Sequence, residues 1–336
     1  MEQATIQEVL EVKDHTNADA LELVTILGWQ VVVKKGEFNV GDKVVYVGLD
    51  SILPPEPEFE FLSKNKYRIN TAKLRGEMSY GICFPLSVYT RVSGNSSDIL
   101  DIGDDVTEAM GVGKYEKPLP KCSDAKGGFP TTIIRKADEE RVQNIPEIID
   151  QIGDGEIYIT VKADGSSITV LKVDGELMVC SRNLLLKEPE EGTRSDFWDA
   201  VYKYGLVDIP DGVYIQAELI GGSIQGNPHG IQGLEIRVFN GGTVARGHGQ
   251  TSWGLDQLTS FCEDKELPMA ELVYRGKKNF GGIDDLVEIA NSVKYENGAI
   301  GEGIVVRYTE PDFNFKMQKP TSFKIISPKY ALKHGE

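Results

Sequence analysis

The chain has 336 residues, 40% of them hydrophobic and 26% charged, with a formal net charge of −16. That balance is the composition of a soluble protein with room for about two domains, and it excludes a disordered chain. No apolar run approaches the roughly 20 residues that span a bilayer, and Met1-Glu2-Gln3-Ala4-Thr5 lacks the basic and apolar parts of a secretory leader, so a cytosolic protein without a membrane partner is expected. The four cysteines (Cys83, Cys122, Cys180, Cys262) form no C-x-x-C pair and read as reduced thiols, not a zinc site or disulfide framework. Four histidines are too few and too scattered for a metal cluster.

Residues 1–115 read as all-β. β-Branched runs at 6–12, 21–27, 30–33 and 43–47 are punctuated by Gly28, Gly36, Gly41 and Gly48, the spacing of a small barrel or sandwich. Between Leu62 and Gly76 stand Lys64, Lys66, Arg68, Lys73 and Arg75 with no acid and with Tyr67 interleaved. Such a stretch is either a solvated basic face or a local nucleic-acid surface, since net charge does not decide where a polyanion is held. Five more lysines follow Phe313, at Lys316, Lys319, Lys324, Lys329 and Lys333. The Gly-, Pro- and Lys-rich stretch at 116–129 reads as a linker or long surface loop.

From 130 to 336 the pattern is α+β. Asp138 to Pro146 reads as a short helix stopped by proline. Strands are expected at 157–161, 168–173 and 177–181, the last two joined by an Asp174-Gly175 turn, which puts Lys162 in a tight antiparallel meander. Ser195 caps a helix that Gly205 ends. Further strands at 213–220, 234–239, 304–308 and 322–326 enclose helices at 255–266 and 283–295.

The ends of these strands carry chemistry. Lys162-Ala163-Asp164-Gly165 puts an amine where a strand stops, with a carboxylate two residues on. A lysine becomes a nucleophile only when burial or a neighbouring cation lowers its pKa, and a carboxylate is a hard oxygen ligand for such a cation. Ser181-Arg182-Asn183 offers a guanidinium suited to phosphate. Glu218 sits inside an apolar strand, Phe239-Asn240 ends another with a ring that could cover a purine, Glu302 lies between Gly301 and Gly303, and Lys324 stands on the last strand.

These motifs, in this order, resemble the covalent nucleotidyltransferases, which include ATP-dependent DNA and RNA ligases and mRNA capping enzymes. The amino-terminal His15-Thr16-Asn17-Ala18-Asp19-Ala20-Leu21-Glu22, followed by Gly28-Trp29-Gln30, is similar to RNA-binding OB modules. Within the superfamily the chain is most similar to RNA ligases with an OB domain ahead of an RNA-ligase-2-like catalytic domain, because DNA ligases and capping enzymes carry theirs after the last strand motif. The resemblance implies an OB-type barrel over 1–115 and an antiparallel-sheet, ATP-grasp-like nucleotidyltransferase domain over 130–336. It implies ATP-dependent joining of RNA 3′-hydroxyl and 5′-phosphate ends, in RNA repair on a nicked duplex, by a monomer. A guanylyltransferase, a DNA nick ligase and a non-catalytic RNA-binding relative stand as alternatives.

The resemblance also implies roles. Lys162 accepts AMP; Asp164, Glu218 and Glu302 converge on Mg²⁺ or Mn²⁺, directly or through its waters; Arg141, Arg182, Glu218, Phe239 and Lys324 bind the nucleotide. The basic residues from Lys64 to Arg75, with Trp29 and Tyr67, are the candidate RNA contacts, with barrel core as the equal alternative for Trp29. The final motif departs from the two-lysine pattern of many ligases, with Ile326 where the second lysine would stand.

Overall fold

A change of partner within the first strand shapes the amino-terminal region. In the computed structural model, which describes residues 3–115, 124–314 and 319–334, Ala4–Asp14 pairs antiparallel to Lys43–Val47 through its first half and to Leu21–Ile26 through its second. The register shifts between Val9 and Glu11, and a bulge of this kind bends and twists its strand. Trp29–Lys34 and Ile82–Pro85 complete a five-stranded antiparallel sheet. Its curl buries two clusters: Ile6, Val45 and Val47 with Phe59 and Met110, and Val9, Val24, Val44 and Tyr46 with Trp29 and Phe38. Successive residues of Lys43–Val47 thus enter different cores, so that strand reads as an unbroken apolar run.

By internal contacts the chain divides into two units. One comprises Met1–Pro120, Val142–Ile148 and Pro328–Glu336, the other Lys121–Arg141 and Ile149–Ser327. Cys122, Lys316 and residues 116–123 of the expected linker lie outside the described residues. No helix among the described residues is long and apolar enough to cross a membrane.

The second unit is built on two sheets. The larger has seven antiparallel strands in the spatial order Ala125–Gly128, Leu184–Leu186, Glu176–Cys180, Ser166–Val173, Val213–Gly221, Leu234–Ala245 and Gly249–Ser252. Ile168, Val170, Ile215, Ala217 and Leu219 pack beneath the helices Asp196–Lys203 and Leu255–Asp264 through Trp198, Val201, Leu258 and Cys262. Alternation then turns Gln216 and Glu218 to the opposite face. The smaller sheet runs Glu140–Arg141, Ser322–Ile326, Gly303–Tyr308, Glu156–Lys162 and Leu272–Lys277.

Two expectations fail at the level of pairing. Lys162 is not in a meander: Glu156–Lys162 takes its neighbours from later in the chain, and Ser166–Val173 belongs to the other sheet. Periodicity announces strands but does not say which ones pair. Asp138 to Pro146 is not an α-helix either. Glu140–Arg141 pairs in parallel with Phe323 and Lys324, and Val142–Asn144 makes one 3₁₀ turn. So short a run cannot cover the cost of helix nucleation, and strand hydrogen bonds prevail.

Candidate active site

Lys162 is the last residue of its strand, and Gly303 pairs with it on the neighbouring one. That register sets Glu302 beside it. Both carboxylate oxygens of Glu302 lie 2.6 Å from the Lys162 amine. Glu302 is buried, whereas the lysine side chain keeps 25% of its exposure. The chain then crosses to the larger sheet through Ala163-Asp164-Gly165. A Cβ on Gly165 would stand 2.3 Å from the Leu219 carbonyl oxygen and 2.9 Å from Cγ of Glu218, so this glycine is required by close approach of the Glu218 strand.

Lys324 faces the same site from the strand next to Gly303–Tyr308, opposite Val305 and beside Arg141. Burial first, then the Arg141 and Lys162 cations, push its ammonium down to about 8, against the pull of Glu302. Burial likewise pushes the Glu218 carboxyl up to about 8; Lys162 opposes this, and Glu302 and Asp164 add to it. The two groups therefore sense one shared field. Arg182 is exposed and ion-paired to Asp138 at 3.0 Å.

Phe239 is half-buried beside a cavity of about 160 Å³ between strands of the two sheets. Tyr158, Gln216, Asn240, Arg307 and Ser322 also line it. The Arg307 guanidinium lies 5.5 Å over the Phe239 ring and donates at 2.8 Å to Glu139, which also accepts from the Ser322 hydroxyl. Asn240 donates to Gln216 at 2.8 Å, and Gln216 to the Arg135 carbonyl at 2.9 Å, so the polar wall is held in a fixed orientation.

The structure thus brings together Lys162, Glu302, Lys324, Glu218 and Asp164, with Arg141 flanking Lys324. Among the described residues no group of three carboxylate, histidine or cysteine side chains stands close enough to hold a metal ion. Glu218, Glu302 and Asp164 are nonetheless carboxylates, the hard oxygen donors that a divalent ion with part of its water shell takes.

No sequence motif marks Tyr295, His229, Arg307 or Glu139, which the fold brings to this region. The helix expected to run to Tyr295 is Ile283–Ser292, and Tyr295 lies beyond it in a loop. An arginine closing the apolar run Ile304-Val305-Val306 is the one legible signal among the four.

The candidate RNA contacts lie in the first unit and fare differently. Lys64, Lys66, Lys73 and Arg75 are exposed. Arg68 is occupied internally, ion-paired to Asp50 at 2.9 Å and seated over the Tyr115 ring at 3.8 Å. Tyr67 donates to Glu60 at 3.0 Å. Trp29 is 3% exposed and donates to the Asn144 side chain at 2.7 Å, so it is core and not a contact surface.

Residues 3–86 match an OB-fold domain family, and residues 155–326 match the RNA ligase family. No curated protein matches the sequence. Among solved structures, Naegleria gruberi RNA ligase with PPi superposes with a TM-score of 0.86 at 28% identity, covering 99% of both chains. Two mutants of that ligase, one with ATP and Mn and one with AMP and Mn, each superpose at 0.85, with the same identity and coverage. The six strand-end motifs fall inside the matched ligase segment, apart from the flanking Arg141, and the amino-terminal curled sheet falls inside the OB match. This chain, an amino-terminal OB-fold followed by an antiparallel-sheet catalytic domain, belongs to the RNA ligase family.

Proposed function

We propose that this RNA ligase seals RNA 3′-hydroxyl and 5′-phosphate ends at the expense of ATP, through a covalent lysyl-AMP on Lys162. The observation that carries the reading is the Lys162 amine held at 2.6 Å from both oxygens of buried Glu302, in a site shared with Lys324 and Glu218. While this pair is closed, the lysine is an ammonium and inert. It attacks only once the pair opens and the amine, 25% exposed, releases a proton to solvent. Asp164, Glu218 and Glu302 would hold a Mg²⁺ or Mn²⁺, directly or through its waters, and the ion would supply positive charge that lowers the amine's proton affinity and neutralises phosphate.

Lys162 Nζ then forms a bond to the α-phosphorus of ATP as the bond to pyrophosphate breaks. Lys324, near the same atoms, neutralises the equatorial oxygens, and Arg141 and Arg182 contribute positive charge at the phosphates and ribose. The adenine enters the cavity beside Phe239, whose roughly 160 Å³ suits a flat aromatic ring. In the second step an oxygen of the RNA 5′-phosphate displaces the lysine and takes the adenylyl group. In the third the 3′-hydroxyl attacks that 5′-phosphate and AMP leaves. The exposed Lys64, Lys66, Lys73 and Arg75 hold the flanking RNA backbone. We assign the physiological role to repair of nicked duplex RNA by a monomer.

The test is incubation with α-labelled ATP and manganese, followed by a denaturing gel. Label that stays with the protein and vanishes in Lys162→Ala supports the reading. Protein that takes no label, or takes it equally in Lys162→Ala, refutes it.

A further inference from the structure

The turn that carries Lys162 is held by two residues that no sequence motif contains. Tyr295 lies in a loop closed on itself: its N–H donates to the Ala299 carbonyl, and its carbonyl accepts from Gly298. From there its phenol reaches three backbone groups of the active site. The hydroxyl oxygen accepts from the Asp164 N–H at 3.1 Å and the Glu302 N–H at 3.0 Å, and the hydroxyl donates to the Lys162 carbonyl at 3.3 Å. One oxygen thereby ties the residue before Gly303 on one strand to both ends of Lys162-Ala163-Asp164.

The ring of Tyr295 is itself fixed. His229 packs on it with centroids 3.8 Å apart and planes 31° from parallel, and both side chains are buried. The His229 Nε2 stands 3.1 Å from the Asp164 carbonyl oxygen. A carbonyl only accepts, so this nitrogen carries the proton. Burial pushes the imidazole below its usual range, in agreement with a neutral donor ring. Asn227 clips the His229 loop from inside, its amide donating to the Ile231 carbonyl and its oxygen accepting from the Ile231 N–H. Asn297 donates to the Pro228 carbonyl at 3.0 Å and joins this loop to the one that holds Tyr295. Asp164 thus has its N–H and its carbonyl engaged by two rings that pack on each other, on loops joined through Asn297.

We propose that Tyr295 and His229 form a positioning pair that fixes the Lys162–Asp164 turn against Glu302 and so sets the aim of the nucleophile during lysine adenylylation. Neither residue touches the reacting atoms. Their effect is on orientation, where a misplacement of about 1 Å costs on the order of 100-fold in rate. The proposal rests on Lys162 as nucleophile, and the experiment separates the two.

Single-turnover labelling with α-labelled ATP and manganese is measured in wild type, Lys162→Ala, Tyr295→Phe, His229→Gln and His229→Ala, with the melting midpoint of each. Tyr295→Phe keeps the stacked ring and loses all three hydrogen bonds. Its labelling rate is expected to fall on the order of 10- to 100-fold at saturating ATP, with the ATP concentration for half-maximal rate changed by less than about threefold. His229→Gln, whose amide can still donate to Asp164, is expected to keep several-fold more rate than His229→Ala. Tyr295→Phe labelling at the wild-type rate overturns the proposal, as does a loss that appears only as weaker ATP dependence. If Tyr295→Phe does not fold, equal rates in folded His229→Gln and His229→Ala overturn it. Label that persists in Lys162→Ala refutes the underlying reading, whatever the other variants do.

Discussion

Lys162 shows what a single residue gains from its register. Its sequence context names a strand end, a turn and a carboxylate, yet the group that grips it is Glu302, which lies 140 positions away. Gly165 is the sharper case. Its φ is not in the left-handed region, so the turn alone does not demand glycine; the Leu219 carbonyl and the Glu218 side chain do. Gly165→Ala is expected to cost about 1–3 kcal/mol, read as a lower urea midpoint, because the carbonyl facing the new methyl is backbone and must move. The same shift displaces Asp164 and Glu218, so lysine labelling should fall more steeply than the folded fraction. A variant with wild-type midpoint and wild-type labelling would show that the strand yields freely.

At the scale of elements, the part of the first unit proposed to hold RNA includes a hairpin, Ala72–Leu74 with Glu77–Ser79, bearing Lys73 and Arg75 at its exposed tip. The segment that resembles OB modules holds it from below. His15 Nε2 donates to the Leu74 carbonyl, His15 Nδ1 accepts from the Asn17 N–H, and Thr16 donates to Glu77. The motif's polar residues therefore serve the placement of the basic hairpin. Replacing Lys73 and Arg75 together with alanine should weaken RNA binding and make the slope of log K against log salt shallower by about 1–2, while self-adenylylation is unchanged. Arg68→Ala should do the reverse, lowering stability in urea by about 1–2 kcal/mol through loss of the Asp50 pair and the Tyr115 stack. Fluorescence anisotropy on labelled RNA over a salt series distinguishes the two variants.

Over the whole molecule, three cysteines report on the packing of both units. Cys83 lies in the curled sheet, while Cys180 and Cys262 lie in the larger sheet and the helix covering it, and burial pushes each thiol up to about 12. Their native pKa values stand above the unfolded value near 9, so the folded chain keeps protons that the unfolded chain releases. Stability from this source is complete below pH 9 and is lost as pH rises toward 12, by about 1 kcal/mol per thiol at pH 10. Between pH 8 and pH 10 the wild type should lose more stability in urea than Cys83→Ser does, by about 1 kcal/mol, a comparison in which the opposite drift from the lowered Lys324 ammonium cancels. At pH 8 the native protein should resist iodoacetamide at all three positions; rapid alkylation of any one would mean that its unit opens readily.

Two kinds of information are carried by the sequence itself. Local order is one: the strands about 157–161, 213–220, 304–308 and 322–326 stand within a residue or two of where alternation puts them, because burial on one or both faces writes itself into residue type. The residue types of the proposed site are the other, since Lys162, Asp164, Glu218, Glu302 and Lys324 are side chains whose types are costly to bury without a purpose. What the sequence does not contain is pairing. The tertiary structure puts Lys162 and Ser166 on different sheets, draws Glu140–Arg141 out of a helix and onto Lys324, and commits Arg68 and Trp29 to internal contacts. It also recruits Tyr295 and His229, which act through backbone hydrogen bonds and ring stacking. Those interactions leave no periodic trace, because they are set by where loops end in space and not by any spacing along the chain.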